Sequence, residues 1–214
     1  MSRKFVHEQA YRNIKDIQAH LADRLIVICG AGAIGSNLTD ILARQGCSKI
    51  RVIDFDRVDI TNVGGQLFGE SDDGAKKVAA LKARIFRDTG VEIDAIDKRM
   101  DESNVSKLVK GASLIVDAFD NSASRRILKE SDYTAHCIHA GMFEGYAEVV
   151  WNSRYKVPAD APDAVDACEQ PLARNMTILC VAVLAEEIMD FLLEKRPRYK
   201  SWSITLKDLK ISEY

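Results

Sequence analysis

Short apolar runs and amphipathic stretches alternate along this chain, and their order predicts a fold. Residues 7–22 place apolar residues at helical spacing, so the span 1–22 is expected to hold a leading helix. Leu25–Cys29 is a short apolar run, the pattern of a parallel strand covered on both faces. Ile34–Gln45 predicts a helix that Gly46 stops, and Ile50–Ile53 a second strand. Residues 56–73 hold Gly64, Gly65 and Gly69 among Asp and Asn, and predict a loop long enough to suggest a function. Then come a helix at Ala75–Arg87, an alternating strand at Val91–Ile96 and a helix at Glu102–Lys110. A strand at Leu114–Ala118, a helix at Ser122–Glu130 and a strand at Ala135–His139 follow. This order predicts a Rossmann-like, doubly wound α/β fold with a mainly parallel sheet. After Gly141 the pattern changes. Tyr146–Trp151 reads as a strand, 156–172 as a crossover loop, Ile178–Leu193 as an apolar helix, and Ser201–Leu206 as a last strand in an antiparallel C-terminal extension. Residues 1–214 are read as a single nucleotide-binding domain.

Composition narrows the class. A chain 47% hydrophobic and 29% charged has the balance of a soluble globular domain. A net charge of −2 argues against a nucleic-acid surface. The apolar helix carries Glu186, Glu187 and Asp190, which favours a buried helix over a membrane span. Five cysteines, odd in number and without a CxxC pair, point to a reduced cytoplasmic protein with no structural zinc. His136, Cys137 and His139 invite a metal reading. Strand alternation puts Cys137 and His139 on one face, but no fourth ligand is evident, so a buried strand is the better reading.

The densest chemistry lies between Ile28 and Asp56. Gly30, Gly32 and Gly35 follow an apolar run and open a helical one, a spacing suited to a tight turn and close backbone approach to phosphate. The helix N-terminus would then face an anion with free N–H groups. Asp54 ends the second apolar run, where a carboxylate can accept ribose hydroxyls. NAD, FAD and ATP all fit that pair of features.

Other residues favour ATP. Asp54-Phe55-Asp56-Arg57-Val58-Asp59-Ile60-Thr61-Asn62 resembles the D-x-D-x-V-x-x-x-N signature of ThiF/MoeB/HesA proteins, bacterial relatives of ubiquitin-activating enzymes. The resemblance continues through Gln66, Gly74 and Lys77, resumes at Asp117-Ala118-Phe119-Asp120-Asn121 with Arg125 downstream, and reaches Cys168. It covers about residues 20–195. It implies ATP-dependent adenylylation of the C-terminal carboxylate of a small ubiquitin-like or sulfur-carrier protein, with release of pyrophosphate, by a cytoplasmic homodimer. It also implies that Asp54, Asp56, Asn62, Gln66 and Asn121 help hold the nucleotide. Lys77 would contact the phosphates and Asp120 would hold Mg²⁺. As a residue type alone, Asp120 could equally cap the helix at Ser122, Asn62 could serve a turn, and Asp117 is expected to be structural.

Gly65 departs from the family pattern, which usually places an arginine there. Arg57, Arg125, or Arg12 from a partner subunit are candidates to replace its charge. Cys168 stands where some relatives accept the activated acyl group, and an unreactive loop cysteine is the competing reading. Two other functions stay open: an NAD-dependent oxidoreductase on the same fold, and a non-catalytic relative that binds nucleotide.

Overall fold

The computed structural model describes residues 3–158, 171–193 and 199–214. The apolar runs form the middle of one sheet. Its strands are β1 (Ile26–Cys29), β2 (Ile50–Ile53), β3 (Asp94–Ile96), β4 (Leu114–Asp117), β5 (His136–Phe143), β6 (Tyr146–Trp151), β7 (Trp202–Thr205) and β8 (Lys210–Glu213). They lie in the order β3-β2-β1-β4-β5-β6-β7-β8. The first five pair in parallel, and β5 to β8 pair antiparallel. The helices are α1 (Val6–Arg12), α2 (Ile17–Leu21), α3 (Ala33–Arg44), α4 (Lys77–Thr89), α5 (Val105–Leu108), α6 (Ser122–Glu130) and α7 (Arg174–Leu192).

Alternation along the strands assigns each face a helical layer. Ile26 and Ile28 of β1 pack with Leu38 and Leu42 of α3, Leu81 of α4 and Leu184 of α7. Val27 and Cys29 pack instead with Val105 and Leu108 near α5 and Leu128 of α6. Both faces are therefore dry, which explains the unbroken apolar runs. The acids of the apolar helix have partners. Glu187 accepts from the indole N–H of Trp202 at 2.7 Å, and Glu186 and Asp190 face Arg12. Among the described residues, no helix is long and apolar enough to cross a membrane.

Several boundaries differ from expectation. The leading helix is broken at Asn13, which adopts φ 55°, and Asp16 restarts it by accepting the amide of Ala19. Arg12 explains the placement of α1: it is buried and meets Glu8, Glu186 and Asp190, tying α1 to α7. The helix expected over Glu102–Lys110 shrinks to one turn, because the Asp101 carboxylate takes the amides of Ser103 and Asn104. β5 runs on through Gly141 and reverses at Glu144 (φ 50°), while α7 begins at Arg174, before Ile178. The last expected strand becomes a hairpin. Its second arm, β8, is mostly exposed and carries too little apolar signal to be read in advance.

Candidate functional site

The glycine turn sits where the sheet changes direction, between β1 and β4, the usual ligand crevice of such sheets. Gly30 has φ +103°, and a Cβ there would lie 2.8 Å from the carbonyl oxygen of Ala118. A Cβ on Gly35 would lie 1.9 Å from the Gly30 carbonyl oxygen, so this position brings helix and strand together. Gly32, which caps α3, would meet nothing within 4 Å, and it borders a cavity of about 520 Å³. That volume suits a small-molecule ligand.

Asp54 ties the turn to the tip of β2. One carboxylate oxygen accepts from the Ala31 amide and the other from the Asp56 amide, both at 2.7 Å. Each oxygen keeps a lone pair for a further donor. Burial pushes this carboxyl up, against the backbone donors at Ala31 and Asp56 and the charge of Lys77.

Lys77 opens α4, and its amide bonds the Asp56 carbonyl at 3.0 Å, which anchors the helix to the second acid. Its side chain is 8% exposed, and its ammonium lies 3.5 Å from the Asp56 carboxylate. Its one ion pair is loose, with Asp54 and Asp59 farther off, so the buried ammonium leaves room for an anion on its cavity side. Asn62 is buried, its side-chain oxygen accepts from the Asp59 amide at 3.0 Å, and it lines the cavity. Turn and wall are thus the same residue. The side-chain oxygen of Gln66 is buried without a hydrogen-bond partner among the described residues, in the same wall.

On the opposite lip, Asn121 caps α6, its side-chain oxygen accepting from Ser124 at 2.8 Å. That leaves Asp120 with a contact from the Asn121 amide at 3.1 Å and its carboxylate toward the cavity. Asp117 is structural, as expected: it is fully buried, bonded to the Phe119 amide and to His139 at 2.7 Å. His139 in turn meets Asn152 and Cys137 and stacks on Tyr155. Among the described residues, no group of three or more His, Cys, Asp or Glu is placed to hold a metal. A single lip carboxylate such as Asp120 suits a hard cation carried on phosphates rather than one caged by protein.

The arginines divide. Arg125 lines the cavity, but its guanidinium donates to the Ala140 carbonyl and the Tyr155 hydroxyl. Burial works against its charge, and Asp117, Tyr155 and Glu148 together outweigh that effect. Arg57 bonds the Gly74 carbonyl at 2.7 Å, on the loop. Arg12 is held by three carboxylates of its own chain. The cavity is also lined by residues that the sequence motifs do not include: Lys98 and Arg99 beside the β2 tip, and Met142, Phe143, Leu172 and Arg174 at the end of β5 and the start of α7. They lie outside the motifs, so spacing carried no signal for them. Cys168 lies outside the described residues. Burial pushes the thiols of Cys47, Cys137 and Cys180 up to about 12, and that of Cys29 well above its ordinary value, so these four are inert at neutral pH.

Comparison with known proteins agrees with this geometry. A family model described as the ThiF family matches residues 6–213. The chain is 30% identical over 120 residues to a molybdopterin-synthase adenylyltransferase of Salmonella typhimurium, covering 55% of this chain and 48% of that protein. It is 33% identical over 118 residues to a sulfur carrier protein ThiS adenylyltransferase of Bacillus subtilis, covering 53% of this chain and 35% of the relative. It spans less than half the length of the curated relatives it matches. Among solved structures, E. coli MccB with the MccA-N7isoASN peptide superposes with a TM-score of 0.83 at 22% identity, over 100% of this chain and 72% of that one. MccB with ATP gives a TM-score of 0.80 at 21% identity, over 100% and 71%. These superpositions bear on the fold.

Proposed function

The chain belongs to the ThiF family, and from that premise we propose that it adenylylates the C-terminal carboxylate of a small ubiquitin-like or sulfur-carrier protein with ATP. The observation that carries this reading is the buried Lys77 ammonium, loosely paired with Asp56, in a cavity that also holds an α-helix N-terminus and Asp54. Ribose hydroxyls would meet Asp54, and the phosphates would meet the Gly32–Ala33 turn and Lys77. A carboxylate oxygen of the carrier attacks the α-phosphorus, the bond to the bridging oxygen breaks, and pyrophosphate leaves. The attacking carboxylate is already ionised, so no general base is needed. The task of the site is to bring two anions together and hold the charge that moves onto pyrophosphate.

Asp120 would hold Mg²⁺, which supplies further neutralisation of phosphate charge. The exposed edge formed by Phe143 and Leu172, which border the cavity, offers the carrier's tail a place to enter. The homodimer, and transfer of the acyl group to Cys168, belong to the same proposal. The deciding experiment is ATP–pyrophosphate exchange with Mg²⁺ and carriers ending in Gly-Gly. Carrier-dependent exchange is expected. ATP binding without exchange for any carrier would mark a non-catalytic relative, and binding of NAD in place of ATP would restore the oxidoreductase reading.

A further inference from the structure

Three arginines line the cavity and none forms an ion pair with a carboxylate among the described residues; Arg99 lies over the Phe55 ring beside the β2 tip, which leaves Arg125 and Arg174 nearer the glycine loop. Arg174 stands in the first turn of α7, exposed, and lines the cavity. Its guanidinium donates to the Gly65 carbonyl at 2.6 Å and to the side-chain oxygen of Asn37 at 3.0 Å. Both acceptors are neutral. The Asn37 amide in turn bonds the carbonyls of Ala33 at 2.7 Å and Gly65 at 3.3 Å. The guanidinium therefore rests against the first turn of α3, the phosphate end of the crevice, and not at the β2 tip where Asp54 stands. Arg125, by contrast, is buried and committed to Ala140 and Tyr155.

Gly65 places no side chain beside this arrangement. A Cβ at Gly65 would meet nothing within 4 Å, so the space beside the loop is open, and Arg174 reaches the same backbone from 109 residues later. We propose that Arg174 is the arginine that binds the β- and γ-phosphates in this chain, delivered from α7 to the place where Gly65 offers no side chain. The bonds Arg174 now makes carry charge on the donor alone; exchanging the two neutral acceptors for phosphate oxygens puts charge on both partners, in the bidentate geometry that guanidinium and phosphate share. The guanidinium keeps its protons throughout. It holds the negative charge that accumulates on pyrophosphate as the bond from the α-phosphorus breaks. Gly65 is then compatible with full catalysis rather than a sign of its loss. This inference rests on the adenylylation reading for its catalytic consequence but not for its binding consequence.

The test uses Arg174→Ala, Arg174→Lys, and the relocated charge Gly65→Arg with Arg174→Ala. Two readouts are taken: carrier-dependent exchange, and the ratio of ATP to AMP affinity by calorimetry. Arg174→Ala should lower exchange by about 10²–10³-fold and reduce the ATP preference while leaving AMP affinity in place. Arg174→Lys should be intermediate, and the relocated arginine should recover at least about tenfold of the exchange, a result that misfolding cannot produce. Unchanged exchange in Arg174→Ala, or equal losses for ATP and AMP, overturns the proposal. If the parent chain shows no exchange with any carrier, the adenylylation reading fails by itself. The affinity ratio then decides for or against Arg174 alone.

Discussion

The two walls of the cavity reach the same ligand space by different routes. The first wall runs from β1 to the start of α4. Its parts are close in sequence, and the backbone bonds them to one another: Asp54 to Ala31 and Asp56, Lys77 to Asp56, Asn62 to Asp59. The second wall is the end of β5 and the start of α7. Its parts meet the first wall only across long separations, as Arg174 meets Gly65 and Asn37. The first wall is rigid and motif-like, because each residue holds its neighbour. The second is held by single side-chain reaches, Arg174 to the Gly65 carbonyl and to the Asn37 side chain, and not by a run of backbone bonds.

On that contrast, changes that disturb the first wall's backbone should harm the fold, and changes to side chains that face the ligand space should harm one step at a time. The largest effect is expected from Gly35→Val. Its Cβ would fall 1.9 Å from the Gly30 carbonyl, so a loss of several kcal/mol, about 3 or more, should show as a lowered Tm together with lost ATP binding. Normal stability in this variant would break the comparison. Next is Lys77→Ala, which removes a buried charge. Exchange should fall about 10²–10³-fold while Tm changes little, because its one ion pair is a loose 3.5 Å contact with the partly exposed Asp56.

The neighbours Asp120 and Asn121 sharpen the contrast between chemistry and structure. Asp120→Asn should cut exchange by about tenfold to a hundredfold and raise the Mg²⁺ requirement without moving Tm. Asn121→Ala should instead cost about 1 kcal/mol of stability through loss of the α6 cap. Reversed outcomes would mean that the cap and the metal ligand have been exchanged.

The smallest effect concerns Glu187, beneath the second wall. Burial pushes its carboxyl up, against the hydrogen bonds from Trp202 and Trp151. A raised folded-state pKa means the native chain binds its proton more tightly than the unfolded chain. That contribution is therefore complete at low pH and declines as pH rises through the raised folded-state value. Glu187→Gln should gain relative to the parent across that window, by less than about 1 kcal/mol, in urea titrations at pH 4 to 7. No pH dependence in the difference would show that the tryptophan bonds offset the burial fully.

Much of this was legible in advance, for reasons visible at particular residues. Strands buried on both faces need continuous apolar runs, so β1, β2 and β4 could be read directly. The glycine spacing could be read because Gly30 and Gly35 allow no side chain. Where local hydrogen bonds compete with periodicity, the pattern misled: Asn13 and Asp16 broke the leading helix, and Asp101 shortened α5. β8 was hidden because an exposed edge strand needs little apolar content. The Asp120 ambiguity arose because an acid before a helix reads as a cap, and only the structure gave the cap to Asn121.

The sequence by itself determined the family, the sheet and the first wall, since these depend on periodicity and on the motif spacing between Gly30 and Lys77. Tertiary structure alone decided the second wall. The joining of α7 to Gly65, the binding of Arg12 to Glu186 and Asp190, and the bond of His139 to Asp117 each link residues that no local pattern pairs. The parallel pairing of β4 and β5 sets His139 against Asp117, while packing of α7 against α3 lets side-chain reach place a guanidinium where the loop has only glycine.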